Sequence, residues 1–310
     1  MAITVGVASI TGKFARRVVT HLQKHSDVSI RGFCRDPSKV PERISSSHKV
    51  TLFKGEAFDV EAVRAFAQGC DVLICCYLGD DKLMIDGQKV LIDACEELGV
   101  PRYIASDWAL DYTKLQLGQL FPKDPMIHVR EYLATKQKVK GVHILVGGFM
   151  EPVLSPFFNI LDPQSNTFCY WGRGDEVMEG TTYDNAAEFT VAVARDATAT
   201  GIVRFLGGRA RICEIAQSYE KAYGVKADLQ RLGSLDDPYK LMHEKREQNP
   251  SDIYSYMSLF FYYYWVNGQT LVGPETDNAK YPEVKPVSWE GFMSQWPLQQ
   301  LPTAYFALNA

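Results

Sequence analysis

The sequence predicts an α/β protein in which a doubly wound parallel sheet is followed by a smaller C-terminal substrate lobe. Two observations lead to this fold class. Through the first half, short apolar runs alternate with helix-like stretches, as in strands joined by crossover helices. After Glu151-Pro152 the alternation stops, and turn residues, aromatic residues and short extended pieces follow. We therefore divide the chain into a domain of residues 1–150 and a lobe of residues 151–310, with one cleft between them.

The individual elements follow from these runs. Apolar stretches predict strands at residues 3–8, 28–34, 49–55, 71–77, 102–106 and 142–148. The segments between them predict helices at residues 13–25, 60–68, 82–98 and 125–137. In the second half we predict a strand at 202–208, helices at 213–224, 235–248 and 254–266, and only turns and short extended pieces at 157–189. Right-handed crossovers favour a doubly wound sheet for the first half.

Composition narrows the classes of ligand. The 310 residues are 46% hydrophobic and 23% charged, with a net charge of −4 and no block of Lys and Arg, which argues against nucleic acid or an anionic membrane as partner. The N-terminal sequence lacks a basic leader, so we expect a cytoplasmic protein. The seven cysteines form no CxxC pair and are interpreted as reduced core residues, with no metal site. The aromatic stretch 254–266 is too short to span a membrane and is interpreted as a pocket wall.

The stretch GVASITGKF, residues 6–14, joins the first predicted strand to the first predicted helix. A glycine-rich turn in this position lets the backbone approach a pyrophosphate, while the helix N-terminus supplies N–H donors. Ser9 replaces the middle glycine of Gly-x-x-Gly-x-x-Gly, and we expect it to keep a negative φ and to offer its hydroxyl to a phosphate. This is the pattern of a Rossmann-type dinucleotide-binding domain. The residues assigned to cofactor contact in this turn are Gly6, Ser9, Ile10, Thr11, Gly12, Lys13 and Phe14.

The end of the second predicted strand indicates which dinucleotide is bound. An acidic residue there accepts hydrogen bonds from a ribose 2′-hydroxyl, whereas an arginine pairs with a 2′-phosphate. This chain has Arg35 first and then Asp36, with Lys39 nearby. We therefore favour NADP(H), and NAD(H) stays open.

Several motifs together resemble the NmrA-like and isoflavone reductase-like proteins, which are atypical short-chain dehydrogenases/reductases. The motifs are GVASITGKF with Arg35, CCYLG, VPRYIASDWALDY, KDPMIHVREYL and VHILVGGFMEP. The phrasing RYIASDWALDY is most similar to fungal-type members, which often belong to secondary metabolism. The resemblance implies a Rossmann-type domain for NADP(H) and a smaller substrate lobe. It also implies either reduction of an apolar, often aromatic, substrate or sensing of the cofactor without turnover.

The resemblance also directs attention to one lysine. Reductases of this family carry a catalytic lysine at the start of the helix before the sixth strand, and the alignment puts Met126 in its place. Lys123 lies three residues earlier, and Pro125 suits the first turn of a helix, which leaves Lys123 on the entering loop. Asp107, after the fifth strand, and His128, which titrates in the right range, are the other candidates for proton transfer.

A second spacing competes with this one. Tyr132 and Lys136 have the Tyr-x-x-x-Lys spacing of ordinary short-chain dehydrogenases, with Ser106 upstream. Lys136 is only six residues before Val142 in the sixth predicted strand, so the pair lies at the far end of its helix, and we interpret it as an exposed helical pair.

The remaining cofactor contacts are assigned to Tyr77, Ser106, Gly148 and Phe149. The apolar substrate contacts are assigned to Trp108, Met126, Met150, Trp171, Phe261, Tyr264 and Trp265.

Three functions stay open at this point. The first is an NADPH-dependent oxidoreductase that reduces a carbonyl or conjugated double bond of an apolar or aromatic small molecule. The second is a non-catalytic NADP(H)-sensing regulator, which Met126 favours. The third is a redox-neutral isomerase, dehydratase or cyclase that uses the same pocket. The expected partner is a small molecule, and the expected assembly state beyond the monomer is a homodimer.

Overall fold

The computed structural model describes residues 2–308, which form two compact units. Neither unit is a continuous half of the chain, which differs from the division at residue 150 expected from the sequence. Unit 1 consists of Met1–Trp108, Phe121–Leu145 and Ala186–Val203, and unit 2 consists of Ala109–Leu120, Val146–Asn185 and Arg204–Ala310.

The strands and helices follow one another along the chain. The strands are β1 (Ile3–Ala8), β2 (Val28–Cys34), β3 (Val50–Lys54), β4 (Val72–Cys75), β5 (Arg102–Ile104), β6 (Lys140–Leu145), β7 (Gly148–Phe149), β8 (Leu161–Asp162), β9 (Thr167–Trp171), β10 (Val177–Thr181), β11 (Gly201–Arg204), β12 (Gly208–Arg211) and β13 (Asp228–Gly233). The helices are α1 (Lys13–Leu22), α2 (Glu42–Ser45), α3 (Val60–Ala67), α4 (Gln88–Leu98), α5 (Asp124–Ala134), α6 (Met150–Val153), α7 (Tyr183–Arg195), α8 (Ile212–Tyr223), α9 (Asp236–Gln248), α10 (Met257–Val266), α11 (Trp289–Met293) and α12 (Ala304–Ala307). Among residues 2–308, no helix has the length and apolar character needed to cross a membrane.

Unit 1 is built on a seven-stranded sheet in the order β11-β6-β5-β4-β1-β2-β3. The pairs from β6 through β3 are parallel, which confirms the predicted Rossmann-type sheet. The chain runs outward in one direction from β1 to β3 and in the other from β4 to β6, so the order reverses between β1 and β4. In such sheets the ligand crevice lies at the carboxyl ends of the strands at this reversal.

The core of unit 1 explains why its strands are so apolar. Every residue of β4 is buried, because helices cover both faces of a parallel sheet. On one face, Phe66 of α3 and Leu91 of α4 pack with Cys70 and Cys75, and burial raises the pKa of both thiols to about 12. These cysteines are core thiols as expected, whereas Cys169 and Cys213 of unit 2 are partly exposed.

Unit 2 contains two small sheets, in the orders β12-β10-β7 and β13-β9-β8. The sequence indicated only turns and short extended pieces at residues 157–189, and the structure adds a helix there. Helix α7 begins at Tyr183, where the hydroxyl of Thr182 accepts a hydrogen bond from the backbone N–H of Asn185 at 3.1 Å. Its first turn is further fixed by the buried carboxylate of Glu151, which accepts a hydrogen bond from the N–H of Tyr183 at 2.9 Å. These caps compensate for the turn-forming residues before the helix.

The later part of α7 belongs to unit 1 and is held there by a buried arginine. Arg102, at the start of β5, donates hydrogen bonds to the carbonyl oxygens of Val193 at 3.0 Å, Ala194 at 2.7 Å and Asp196 at 2.8 Å. The guanidinium therefore satisfies carbonyl groups at the C-terminal end of α7, where a positive charge also interacts favourably with the helix dipole.

We predict that Arg102→Met lowers the free energy of unfolding by about 3 kcal/mol, because it leaves several buried carbonyl groups without a donor. Chemical denaturation measures the change. Arg195→Met is the matched control, since Arg195 lies at the same helix end but makes only a partly exposed ion pair with Asp27 at 3.5 Å. The control should cost less than about 1 kcal/mol. Equal losses in the two variants would contradict the role given to Arg102.

Candidate functional site

The turn after β1 is tight and contains a strained serine. Ser9 has a φ of 61°, which corrects the expectation that it keeps a negative φ. Its carbonyl oxygen accepts a hydrogen bond from the N–H of Gly12 at 2.8 Å, and a Cβ on Gly12 would lie only 3.1 Å from that oxygen. The N–H of Ile10 donates to the carbonyl of Phe33 at 3.1 Å and ties the turn to β2. Ser9 therefore adopts the backbone conformation that glycine would adopt there, at an energetic cost.

The serine hydroxyl remains available to a ligand. Within residues 2–308, Ser9 Oγ makes no hydrogen bond, and the side chain is partly exposed.

Gly6 was assigned to cofactor contact from the sequence, but the structure gives it a packing position. It lies inside β1, where a Cβ would be 3.0 Å from Cys70 Sγ and 3.2 Å from the Phe66 ring, so its role is close packing of the sheet against α3.

Positive charge accumulates at the start of α1. The helix begins after Gly12 with no capping side chain and no acidic residue in its first turn. Burial and the neighbouring Arg16 lower the pKa of Lys13, and the pKa of Arg16 is lowered by burial and by the charges of Arg43 and Arg17. Clustered cations at a helix N-terminus form an arrangement that a bound phosphate stabilises. Lys13 is predicted from the sequence, whereas Arg16 and Arg43 are not, and Arg43 comes from the separate short helix α2.

Arg35 and Asp36 differ in what they are free to bind. Arg35, which follows β2, is exposed and makes no hydrogen bond or ion pair with other described residues. The carboxylate of Asp36 accepts hydrogen bonds from Ser38 through its N–H at 3.1 Å and its hydroxyl at 2.7 Å. These bonds lower the pKa of Asp36. Asp36 is thus occupied in capping the following turn, whereas the Arg35 guanidinium is exposed to solvent.

The ends of β4 and β5 are joined by buried polar groups. The hydroxyl of Ser106 donates to the carbonyl of Tyr77 at 2.7 Å, and the N–H of Ser106 donates to the Gln88 side chain at 3.2 Å. Ser106 therefore stabilises this edge of the sheet. The hydroxyl of Tyr77 is buried with no hydrogen-bond partner among the described residues, so it is a polar group that a ligand or water could satisfy.

Lys123 stands at the head of α5, directly before Asp124. A short helical turn, Phe121–Lys123, leads into α5 and places the lysine at the N-cap, where the sequence predicted an entering loop. Burial lowers the pKa of Lys123 to about 8, and the negative charge of Asp107 acts in the opposite direction. Lys123 and Asp107 therefore interact electrostatically within unit 1. They are two of the three residues proposed for proton transfer.

Asp107 has a further partner, His143, which the sequence did not predict. Nδ1 of His143 lies 2.7 Å from Oδ2 of Asp107, and both side chains are buried. The only signal in the sequence was a histidine inside the apolar strand VHILV, where a buried polar group needs a partner. The pair is 36 residues apart in the chain and is brought together by the pairing of β5 with β6.

Trp108, next to Asp107, adopts an unusual backbone conformation. Its φ is 31°, although it is a bulky residue. The conformation is stabilised by a hydrogen bond from Trp108 Nε1 to the Thr190 hydroxyl at 2.8 Å and by contact with the Phe14 ring, whose centroid is 4.3 Å away. Strain of this kind concentrates at functional sites, where the surroundings hold the backbone in place. Trp108 and Phe14, assigned separately to substrate and cofactor, are thus in direct contact.

The other candidates on α5 lie apart from Asp107. His128 is partly exposed and has no hydrogen bond, ion pair or ring contact within the described chain. Met126 is buried in the first turns of α5. Lys136 lies beyond the C-terminal end of the helix, where its ammonium contacts Asp93 at 2.6 Å and lies 4.0 Å from the centre of the Tyr132 ring. The Tyr132 and Lys136 spacing is therefore a surface ion-pair arrangement.

The assigned residues of unit 2 divide into core and partly exposed groups. Trp265 is buried and donates through Nε1 to the Glu179 carbonyl at 2.9 Å, beside Gly148. Met150 and Tyr264 are also buried, so these three side chains belong to the core of unit 2. Phe149, Trp171 and Phe261 are partly exposed.

The partly exposed Phe149 is the first ring of an aromatic ladder. Its ring contacts that of Tyr183 at 4.0 Å between centroids, and Tyr183 contacts Tyr305 at 5.9 Å. The ring planes of the two pairs are inclined by 30° and 59°, so the three rings pack in tilted contacts.

Comparison with known proteins agrees with the cofactor-binding geometry. Residues 10–143 match a protein-family model described as NAD(P)H-binding. No curated protein sequence matches the chain significantly. The fold and the turn thus define unit 1 as an NAD(P)H-binding domain of Rossmann type.

Solved structures extend the likeness to almost the whole chain. A structure of AtPrR2 with NADP+ and (+)-pinoresinol has a TM-score of 0.78 at 17% identity and covers 96% of this chain and 99% of that one. An isoflavone reductase has a TM-score of 0.75 at 18% identity, covering 95% and 99%. Leucoanthocyanidin reductase from Vitis vinifera, solved with NADPH, has a TM-score of 0.73 at 17% identity, covering 94% and 98%. At these identities the likeness establishes the shared fold.

We predict that Ser9→Gly raises the free energy of unfolding by up to about 1 kcal/mol. Relief of the strained left-handed conformation stabilises the folded state by about 1–2 kcal/mol. The greater conformational freedom of glycine in the unfolded chain offsets about 0.5–1 kcal/mol of that gain. Ser9→Ala is the control, because it removes the hydroxyl and keeps the strained φ. Denaturation midpoints compare the two. A gain in Ser9→Ala as large as in Ser9→Gly would refute the strain.

Proposed function

We propose that this chain is an NADPH-dependent reductase that acts on a carbonyl or conjugated double bond of an apolar or aromatic small molecule. The observation that carries the proposal is the environment of Lys123. It combines a pKa lowered to about 8 with the charge of Asp107, in the same unit as the nucleotide-binding turn. A group that titrates near the working pH is suited to give a proton to a reacting atom.

The residues around the turn fit the cofactor. Ser9 and the N-terminus of α1 would hold the pyrophosphate, with the charges of Lys13 and Arg16 beside it. Arg35 would pair with the 2′-phosphate, because its guanidinium is exposed while Asp36 is occupied by Ser38. When bound, NADPH supplies the hydride for the reduction.

The role of Lys123 follows from its charge state. Hydride addition leaves negative charge on an oxygen or carbon of the substrate, and the Lys123 ammonium donates one proton to that atom and becomes a neutral amine. The carboxylate of Asp107 stabilises the ammonium before transfer. His128 is the less favoured proton donor, because no contact joins it to Asp107 or Lys123 within the described residues.

The proposed substrate class is supported by the aromatic ladder in unit 2. Phe149, Tyr183 and Tyr305 form successive tilted ring contacts, and aromatic side chains commonly line the sites of flat apolar molecules. One of the similar structures contains (+)-pinoresinol, which supports an aromatic substrate here. Burial raises the pKa of Tyr183, so its hydroxyl, which is hydrogen-bonded with Tyr305, stays protonated.

We predict that Arg35→Ala weakens NADPH binding by about 10- to 100-fold, the loss expected for a charge-assisted hydrogen bond. NADH lacks the 2′-phosphate, so its affinity should change by less than about threefold. Fluorescence titration of both cofactors on both proteins measures the difference. An equal loss for NADPH and NADH would contradict recognition of the 2′-phosphate by Arg35.

We predict that kcat falls as the pH rises through about 8, because the ammonium form of Lys123 is the proton donor. Below that pH the donor is fully charged. Lys123→Met should lower kcat by about 10²- to 10⁴-fold. Lys136→Met is the matched control, since it removes a lysine at the other end of α5, and it should leave kcat within about twofold. Loss of activity in Lys136→Met with retention in Lys123→Met would exchange the roles of the two lysines.

The same assays separate the other functions. Purified protein is screened for NADPH oxidation with aromatic ketones, enones and benzylic ethers. Tight binding of NADPH with no turnover across this panel would replace the reductase with a cofactor sensor. Conversion of a substrate with no net consumption of NADPH would indicate a redox-neutral enzyme.

A further inference from the structure

A cavity opens at the edge of the unit 1 sheet where β6 and β11 begin, and we call it the amino-edge cavity. Its volume is about 360 Å³, and it is open to solvent. Lys140 and Gly141, which begin β6, line it, and so do Gly201 and Ile202, which begin β11. The second half of α5 supplies a further wall through residues such as Arg130. This volume lies in the range of sites that bind small molecules.

The amino-edge cavity lies far from the nucleotide-binding turn. Strands β6, β5, β4 and β1 are successive parallel neighbours, so all four begin at one edge of the sheet and end at the other. The turn at Ser9 follows the end of β1, whereas the start of β6 lines the cavity. Both strands have six residues, a length of about 20 Å. A small molecule in the cavity therefore does not reach the place of the pyrophosphate.

The lysine and arginine side chains of the amino-edge cavity are Arg130, Lys136 and Lys140, and no Asp or Glu of residues 2–308 lines it. Arg130 is partly buried and makes no hydrogen bond or ion pair with other described residues. The ammonium of Lys140 donates to the carbonyl oxygen of Gln137 at 3.0 Å and has no carboxylate partner within the described chain. Two positive charges of the cavity are thus left without a compensating anion.

Two carboxylates contact lining residues without lining the cavity themselves. Asp93 lies 2.6 Å from the ammonium of Lys136, so this cation is already compensated. Asp107 lies 2.7 Å from Nδ1 of His143, whose buried ring also lines the cavity. We therefore assign neither Lys136 nor His143 a role in holding the charge of a ligand.

Apolar side chains make up much of the remaining lining. Leu133 and Val139 are buried, and Ile202 is partly exposed. An inorganic anion would leave this surface in contact with water, whereas an anion that carries an apolar body would cover it. The lining therefore fits a small molecule with a negative group at one end and an apolar body at the other.

The segment that carries Val139 and Lys140 is fixed by the protein itself. The carboxylate of Glu96, on α4, accepts hydrogen bonds from three successive backbone N–H groups. The donors are Gln137 at 3.1 Å, Lys138 at 2.9 Å and Val139 at 2.9 Å. These bonds, that of Val139 above all, lower the pKa of Glu96. A wall that is already held in place loses little conformational freedom when a ligand binds.

We propose that the amino-edge cavity is a binding site for a small organic carboxylate with an apolar or aromatic body. Arg130 and Lys140 hold the carboxylate, and the body packs on the apolar wall. The planar guanidinium presents its N–H groups in a fork that matches a carboxylate, and the ammonium adds a second charge. The site is separate from that of the cofactor, so the inference goes beyond the reductase function and does not depend on turnover.

The first experiment compares 2-naphthoate with 2-naphthamide, which has the same rings and no charge. Titration calorimetry on the wild-type protein should show saturable binding of 2-naphthoate. The affinity of 2-naphthamide should be about tenfold lower or less, because it lacks the charge-assisted hydrogen bonds. Equal affinities would overturn the proposal, and so would the absence of saturable 2-naphthoate binding at millimolar concentrations.

Three substitutions test the cations. Arg130→Gln should weaken 2-naphthoate binding by about tenfold, and Lys140→Gln, at a more exposed position, by about threefold. Lys138→Gln is the matched control, because Lys138 lies in the same segment and does not line the cavity. It should change the affinity by less than about twofold. An equal loss in all three variants would mean general attraction to a positive surface and would overturn the proposal.

A second pair of variants covers an Arg130→Gln protein that folds poorly. Ala134, an exposed residue of α5, lines the cavity, and the exposed Thr135 beside it does not. Ala134→Glu adds a negative charge to the wall and should weaken 2-naphthoate binding by about tenfold, whereas Thr135→Glu should weaken it by less than about threefold. Unchanged binding in Ala134→Glu would place 2-naphthoate elsewhere and reject the site.

Competition separates this site from the nucleotide site and from a general anion site. Saturating NADPH should leave the 2-naphthoate affinity unchanged, since the two sites lie at opposite edges of the sheet. Displacement by NADPH would overturn the proposal. Displacement by inorganic phosphate at equal concentration would also overturn it, because phosphate has no apolar body. Saturable binding with this pattern in a protein without turnover would retain the site and reject the reductase function alone.

Discussion

The candidate site depends on the parallel pairing of β1 with β2 on one side and β4 on the other. Ala8, the last residue of β1, is level with Phe33 and with Cys75, so all three strands end at one edge. Ser9 and Arg35 directly follow β1 and β2, and Tyr77 is the second residue after β4, so all three reach that edge through the backbone alone. Backbone hydrogen bonds set the positions of these residues, so the identity of each side chain can change without moving the strand ends. A serine can then occupy a glycine position, because the sheet holds the turn on both sides.

Unit 1 uses buried charge in two different ways. Arg102 is surrounded by carbonyl oxygens that satisfy its donors, so its charge is fully used in joining β5 to α7. Lys123 has burial acting against its charge and one carboxylate acting for it, so its proton is held weakly. Desolvation thus opposes both charges, but hydrogen bonds to the end of α7 compensate for it at Arg102, whereas at Lys123 it lowers the pKa. The difference lies in how completely each cation is compensated.

Much of unit 1 could be read from the sequence because buried parallel strands are continuous apolar runs, which is why β1 to β6 were found. The turn and Arg35 followed from their place after β1 and β2. Other features depend on information that a local pattern does not contain. The positive φ of Ser9 is imposed by the turn around it, since serine itself prefers negative φ. Helix α7 was missed because Thr182 and Glu151 cap a segment that begins with turn-forming residues. The contact of Asp107 with His143 arises only when β5 and β6 pair.

The discontinuity of unit 1 has a consequence for how the protein is made. Its sheet ends with β11, and Arg102 finds its carbonyl partners only on α7, so the domain is incomplete until residue 203 has left the ribosome. A nascent chain that has reached residue 150 has neither the strand β11 that pairs with β6 nor the α7 carbonyl groups that Arg102 binds. The nucleotide-binding domain therefore matures only after part of unit 2 has been synthesised, and a fragment cut at residue 150 would lack its closing strand.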